Sequence, residues 1–213
     1  VSRRPLDVYE TPRALSLAVC HWLKSKISEP KGAIWEPSSG TGSFVAAARA
    51  TWPTTPIVAF DVRKEVDADA RENGADNFVG LDWVDDWGHP GSDWEQARPW
   101  LVVGNPPFKG CELHLVRALE RVELGGYVCF LLSLNLFWPS RAREMLWDLP
   151  GLVRVQPMNP RPDFLGRGGS DAVGCAAYLW QRGYTGPTML HKPLRWRGDI
   201  ARTQTELEIG GGQ

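Results

Sequence analysis

Ala33-Ile34-Trp35-Glu36-Pro37-Ser38-Ser39-Gly40-Thr41-Gly42-Ser43-Phe44 decides how the rest of the chain is read. The apolar triplet Ala33 to Trp35, set off by Pro30-Lys31-Gly32, predicts a short strand. Ser38 to Gly42 then forms a glycine-rich turn, and small residues from Ser43 to about Thr51 predict a helix. A strand feeding a helix through such a turn is the start of a β–α unit, and the alternation continues downstream. Ile57 to Phe60 predicts a second strand ending on Asp61, Lys64 to Asn73 a charged helix, and Asn77 to Val79 a third strand. The acidic stretch Asp82 to Glu95 reads as loop. Trp100 to Val103 is a fourth strand, Glu112 to Arg121 a helix, and Tyr127 to Leu132 a strongly apolar fifth strand. Pro139 opens a helix through Trp147, Leu152 to Val155 make a sixth strand, and Ala172 to Trp180 a seventh.

Upstream, Thr11-Pro12 reads as a helix start, with a hydroxyl N-cap and proline at the first helical position. Leu15, Ala18, Val19, Trp22 and Leu23 recur at helical spacing between Ala14 and Ile27. Short strands alternating with helices predict an α/β fold: a three-layer open sheet of about seven mostly parallel strands. Gln156 to Asp171 offers no convincing helix, so the last strand is expected to turn antiparallel. With no internal repeat and no dividing linker, residues 1–213 read as a single domain ending in a basic segment and a glycine-rich tail.

In such sheets, ligands bind beyond the carboxyl ends of the strands, where the strand order switches. Several candidate residues fall there. Gly40 and Gly42 lack the Cβ that would block a ligand, Glu36 and Ser38 flank them, and the following helix presents free N–H groups. No lysine follows the glycines, so this is not a Walker A loop, and Val45 stands where a dinucleotide fingerprint has its third glycine. By itself a GxG after a strand is compatible with a ligand loop or with a tight turn. Asp61 can accept from vicinal ribose hydroxyls, and Asp82, beside Trp83, from an adenine amino group. Nothing nearby neutralises a pyrophosphate, which favours a nucleoside cofactor over a dinucleotide. After strand four comes Asn105-Pro106-Pro107-Phe108. Asn105 offers a side-chain carbonyl, Pro106 a backbone carbonyl without a competing N–H, and Phe108 a stacking ring, on a turn stiffened by two prolines.

This set resembles the class I S-adenosylmethionine-dependent amino-methyltransferases, and above all the adenine-N6 DNA enzymes that carry the cofactor half before the catalytic half. Glu36 to Phe44 looks like their cofactor loop, Asp61 and Asp82 like their two cofactor acids, and Asn105 to Phe108 like their catalytic tetrad. Tyr9-Glu10-Thr11-Pro12 resembles the motif that precedes their first strand. The resemblance implies a Rossmann-like methyltransferase sheet with a reversed final hairpin, S-adenosyl-L-methionine as cofactor, and direct transfer without metal or cysteine adduct. It also implies that Tyr9, Thr11 and Pro12 close over the methionine part while Phe44 packs beside it. The tetrad's chemistry follows: an aromatic amine is a poor nucleophile, and paired acceptors at its hydrogens favour pyramidalisation toward a free lone pair. Unlike many sequence-specific relatives, the chain holds no separate target-recognition domain.

Substrate contacts are therefore expected from short segments or from a specificity partner. Phe108, Trp138 and Phe164 are candidates for stacking or wedging, and Arg161, Arg167, Arg195 and Arg197 for phosphates. A base inside a duplex would have to be flipped out. DNA is the expected partner. RNA amino-methylation, DNA cytosine-N4 methylation, protein glutamine methylation and a non-catalytic subunit of a modification complex are the rival readings. The formal net charge of −1 does not advertise a polyanion binder. However, Asp61 to Glu95 holds eleven acids against three bases, and from Gln96 onward fourteen bases meet ten acids, which allows a one-sided positive face. Cys20, Cys129 and Cys175 lie in apolar runs and Cys111 stands apart, spacings that suit reduced thiols and a cytoplasmic setting. No apolar run is long enough to span a bilayer, and Val1 to Asp7 lacks the apolar stretch of a secretory signal.

Overall fold

The computed structural model describes residues 10–85, 97–136, 146, 148–164 and 174–197. Helix α1 (Arg13–Lys24) precedes β1 (Ile34–Glu36), α2 (Ser43–Thr51), β2 (Ile57–Asp61), α3 (Asp67–Glu72), β3 (Asn77–Gly80), β4 (Leu101–Gly104), α4 (Cys111–Arg121) and β5 (Tyr127–Ser133). Then come β6 (Leu152–Asn159), β7 (Cys175–Gln181) and two short strands, β8 (Met189–Leu190) and β9 (Leu194–Arg195). The sheet runs β3-β2-β1-β4-β5-β7-β6-β8, with β9 also on β6. The first five are mutually parallel, while β7 is antiparallel to both β5 and β6. This is the α/β fold expected, with the reversed last hairpin in place.

Strand pleating sorts the core into two layers. Ile34, Ile57, Ala59, Leu101, Val103, Cys129 and Leu131 face α1 and α2, together with Trp52 and Trp196. Their alternates Trp35, Val58, Phe60, Val102, Val128, Phe130 and Leu132 face α4 and Trp83. Buried on both sides, these strands read as continuous apolar runs, as parallel strands covered by helices must. All four cysteines are buried and none forms a disulfide, Cys111 included. Burial pushes the Cys20 and Cys129 thiols up, so they stay protonated. Among the described residues, no helix is long and apolar enough to cross a membrane.

Five expectations need correction. Thr11 is not an N-cap: Pro12 occupies that position with φ −55° and ψ 131°, and its carbonyl accepts from Leu15 N and Ser16 N. The Thr11 hydroxyl turns instead to Asn105. Helix α1 stops at Lys24 rather than Ile27. The charged helix is split into a 3-10 turn, Lys64–Val66, and the six-residue α3. Strand β6 runs four residues past Val155, because Pro157 sits opposite Ala176 while on its outer side it falls between the segments paired by β8 and β9. A residue without an N–H is tolerated at such a gap. Among the described residues the sheet counts nine strands against the about seven expected, since β8 and β9 are too short to leave a sequence signal. The helix expected over Pro139 to Trp147 lies, apart from Leu146, outside the described residues.

Candidate functional site

Strand order switches between β1 and β4, whose neighbours continue in opposite directions across the sheet. Ligand crevices form beyond the strand ends at such a point. A cavity of about 840 Å³ opens there, lined by the β1–α2 turn, Asp61 to Arg63, Leu81 to Asp85 and Asn105 to Gly110. Thr11, Glu36, Ser38, Gly40, Phe44, Asp61, Asp82, Trp83 and Asn105 to Phe108 all line it. Two more candidates lie behind it: Gly42 adopts φ +84° at the α2 N-cap, and Pro12 caps α1. Tyr9, Trp138 and Arg167 lie outside the described residues.

The turn is held from below. Gly40 N donates to Asp61 Oδ2 at 2.8 Å, and Ser39 N to the Phe60 carbonyl at 2.8 Å. Gly42 sits in the left-handed region, and a Cβ there would collide with Asn73, whose side-chain amide donates to the Thr41 carbonyl at 2.9 Å. Beneath the two acids, Trp35, Phe60 and Trp83 pack with ring centroids 5.2 to 6.1 Å apart, so Trp83 is a buried pillar as well as a cavity wall. Asp82 Oδ1 accepts from Val84 N at 2.8 Å and Asp85 N at 3.1 Å, which fixes the loop after β3.

Glu36 is 2% exposed. Burial pushes its carboxyl well up, the neighbouring Asp61 charge adds to this, and the Ser38 N–H bond at 3.3 Å opposes it. Its side chain lies over Gly104: a Cβ there would land on Glu36 Oε1, inside van der Waals contact. Asn105 Nδ2 donates to Thr11 Oγ1 at 3.1 Å. Three buried oxygens on cavity-lining residues have no hydrogen-bond partner among the described residues: Glu36 Oε2, Ser39 Oγ and Asn105 Oδ1. Buried acceptors left open in this way are sites that a ligand with donors can fill.

The site holds residues that the sequence reading missed. Arg63 covers Asp61, its Nε 3.1 Å from Oδ1 and its Nη2 3.2 Å from Oδ2, while its backbone N donates to Oδ1 at 2.9 Å. That pairing raises the guanidinium pKa further. His114, in the first turns of α4, also lines the cavity; burial lowers its pKa, and Nδ1 faces the Gly110 carbonyl at 3.2 Å. No motif spacing signalled either residue: Arg63 follows Asp61 by two residues without a distinctive pattern, and His114 reaches the cavity from the helix after β4.

Among the substrate candidates, Phe108 and Phe164 meet edge to face at 5.9 Å. Phe164 is buried in the core beside Met158 and Trp196. Trp196 donates its Nε1 to the Pro160 carbonyl and anchors the basic segment against the end of β6. Arg195 and Arg197 flank it on the surface, with the Arg197 guanidinium 4.7 Å over the Trp196 ring. Arg161 is exposed just after β6. Because β6 runs in the same direction as β5, this rim lies at the end of the sheet that carries the cavity. Among the described residues there is no cluster of three or more His, Cys, Asp or Glu that could hold a metal.

Nucleoside and amino-acid moieties suit this cavity: a GxG turn for close backbone approach, a carboxylate at the end of β2, and open buried acceptors beside it. No family profile matches the chain. No curated protein matches it either. Its fold does match solved structures. A type I restriction-modification methyltransferase subunit from Streptococcus thermophilus superposes with a TM-score of 0.68 at 13% identity, over 94% of this chain and 52% of that one. A Listeria monocytogenes protein classed as a class I S-adenosylmethionine-dependent methyltransferase gives 0.66 at 13% identity, over 98% and 73%. A Pyrococcus horikoshii protein classed as an RNA methyltransferase gives 0.59 at 18% identity, over 84% and 90%. The chain spans about half the length of the restriction-modification subunit it matches. The fold is that of the class I S-adenosylmethionine-dependent methyltransferases.

Proposed function

We propose that the chain transfers a methyl group from S-adenosylmethionine to the exocyclic N6 of adenine in DNA, acting on a base swung out of the duplex. The observation that carries this reading is Asn105 Oδ1: a buried, open acceptor on a residue lining the cavity shared with the GxG turn and Asp61. A planar aromatic amine brings two N–H donors, and Asn105 Oδ1 and the Pro106 carbonyl receive them. The two acceptors gain strength as the nitrogen turns tetrahedral, which is when binding lowers the barrier. Phe108, edge-on to Phe164, offers a face for the base. Asp61 receives the ribose hydroxyls, Asp82 the adenine amino group, and the β1–α2 turn with Thr11 and Phe44 the amino-acid part. The bound cofactor supplies an electrophilic methyl carbon.

DNA is our choice of acceptor; fold neighbours include restriction-modification methyltransferases as well as a protein classed as an RNA methyltransferase, so the neighbours do not decide between the two. The tetrad ends in Phe108, and the exposed arginines of the rim suit phosphates. The test is transfer of labelled methyl groups to DNA, RNA and protein pools, followed by nucleoside and peptide mass analysis. N6-methyladenine in DNA supports the proposal; label only in RNA or only on glutamine transfers the site to another substrate.

A further inference from the structure

An exocyclic amine needs two acceptors, one for each N–H. For the cofactor's adenine the first is the Asp82 carboxylate, just after β3. The neighbouring helix carries a second. His114 stands near the start of α4, and its ring lines the same cavity as Asp82. Trp83, next to Asp82, donates its Nε1 to the His114 carbonyl at 3.3 Å and so ties the loop after β3 to α4. Asp82 is close enough for its charge to act on the imidazole. The ring's own contacts fix its hydrogens. Nδ1 lies 3.2 Å from the Gly110 carbonyl. A carbonyl oxygen only accepts, so Nδ1 carries the hydrogen, and in the neutral ring Nε2 keeps a lone pair. Burial lowers the pKa by more than Gly110 and Asp82 raise it, which keeps the ring neutral at pH 7. On the far edge of the ring, Nε2 has no hydrogen-bond partner among the described residues. A lone pair beside a carboxylate sets acceptor against acceptor, and a group with two donors relieves it. Val62 and Leu113 also line the cavity, and at 51% and 49% exposed they give a planar base apolar walls.

We infer that His114 Nε2 accepts the second N–H of the cofactor's adenine amine and, with Asp82, makes the site selective for a 6-amino purine. This role rests on the proposed contact of Asp82 with the adenine and extends it to a residue of α4. It is independent of which acceptor is methylated. A purine without the amine leaves both acceptors open, and a 6-oxo purine sets a third acceptor against them. Either mismatch costs affinity, because the site's polar groups are then unpaired.

The test is titration calorimetry of the parent and of His114→Leu with two ligands: S-adenosylhomocysteine, and its analogue with hydrogen in place of the 6-amino group. One such hydrogen bond corresponds to about 3–10-fold in Kd. The parent should prefer S-adenosylhomocysteine by at least that factor, since the analogue lacks both donors. His114→Leu should weaken S-adenosylhomocysteine about 3–10-fold and leave the analogue unchanged or slightly tighter, whereas a merely structural role would weaken both alike. Equal losses for the two ligands, or no loss for S-adenosylhomocysteine, overturn the inference. In parallel, 15N spectra of the parent's histidine rings, assigned through the backbone, need no variant to fold. His114 should carry its hydrogen on Nδ1, and Nε2 should shift further with S-adenosylhomocysteine than with the analogue. A hydrogen on Nε2, or the same shift with both ligands, likewise overturns it. If the parent binds both ligands equally, the cofactor site stands and the role of His114 falls alone. If it binds neither, the cofactor assignment fails and takes this role with it.

Discussion

Asp61 has four lone-pair directions, and four donors occupy them: Gly40 N, Arg63 N, Arg63 Nε and Arg63 Nη2. A ribose diol can dock on this carboxylate only after the two side-chain bonds from Arg63 give way. Those bonds, at 3.1 and 3.2 Å, are long for charge-assisted pairs. The Arg63 side chain keeps 21% of its surface exposed, against 6% for Asp61, so solvent screens part of the attraction. After that discount, the clasp opposes cofactor binding by about 1 kcal/mol, or roughly fivefold in Kd. Arg63→Ala is therefore expected to tighten binding of S-adenosylmethionine and S-adenosylhomocysteine alike by roughly fivefold in titration calorimetry. Asp61→Ala should weaken it by about 1–3 kcal/mol, since the charged acceptor itself is lost. If Arg63→Ala weakens binding tenfold or more, Arg63 holds the cofactor instead of competing with it, and the assignment of Asp61 to the ribose fails.

Other expectations concern Glu36, Gly104 and the basic rim. Because burial raises the Glu36 carboxyl in the folded protein, the native state keeps a proton that the unfolded chain loses above about 4.5. Cofactor-free protein should therefore lose stability as pH rises from 4.5 toward the raised value, and Glu36→Gln should flatten that slope. Parallel urea-midpoint profiles for the two proteins would refute this. Gly104→Ala should cost about 1–3 kcal/mol in chemical denaturation by driving a Cβ onto Glu36 Oε1, with most of it recovered in a Glu36→Ala background. Charge reversal at Arg195 and Arg197 should weaken DNA binding across all sequences and lower the salt slope by about one per lost phosphate contact, read by titrations at several ionic strengths.

The fold was legible because parallel strands buried on both faces leave unbroken apolar runs, and each of β1, β2, β4 and β5 carries one. Legibility fell where a local signal pointed the wrong way. Thr11 beside Pro12 has the residues of an N-cap, but its hydroxyl binds a side chain across the fold. Pro157 breaks the pattern of β6 without breaking the strand. At the site, residues placed by a turn at a strand end could be read from spacing: Gly40, Asp61, Asp82 and Asn105 all line one cavity. Arg63 and His114 could not, since an arginine two residues past an acid, or a histidine early in a helix, has no distinctive pattern. Phe164 was named as a candidate, but its contact with Phe108 joins residues from different strand ends, which no local pattern marks.

The central claim is that the open acceptor on Asn105 acts in the transition state. The direct measurement is single-turnover transfer from labelled S-adenosylmethionine to DNA by the parent and by Asn105→Ala, both at saturating cofactor and DNA. Circular dichroism and cofactor titration serve as controls for folding and for the intact cofactor site. Loss of one preorganised acceptor predicts a rate at least ~100-fold lower, about 2.7 kcal/mol, with cofactor affinity almost unchanged. A folded alanine variant that methylates DNA at close to the parent rate would make Asn105 a turn residue and contradict the account.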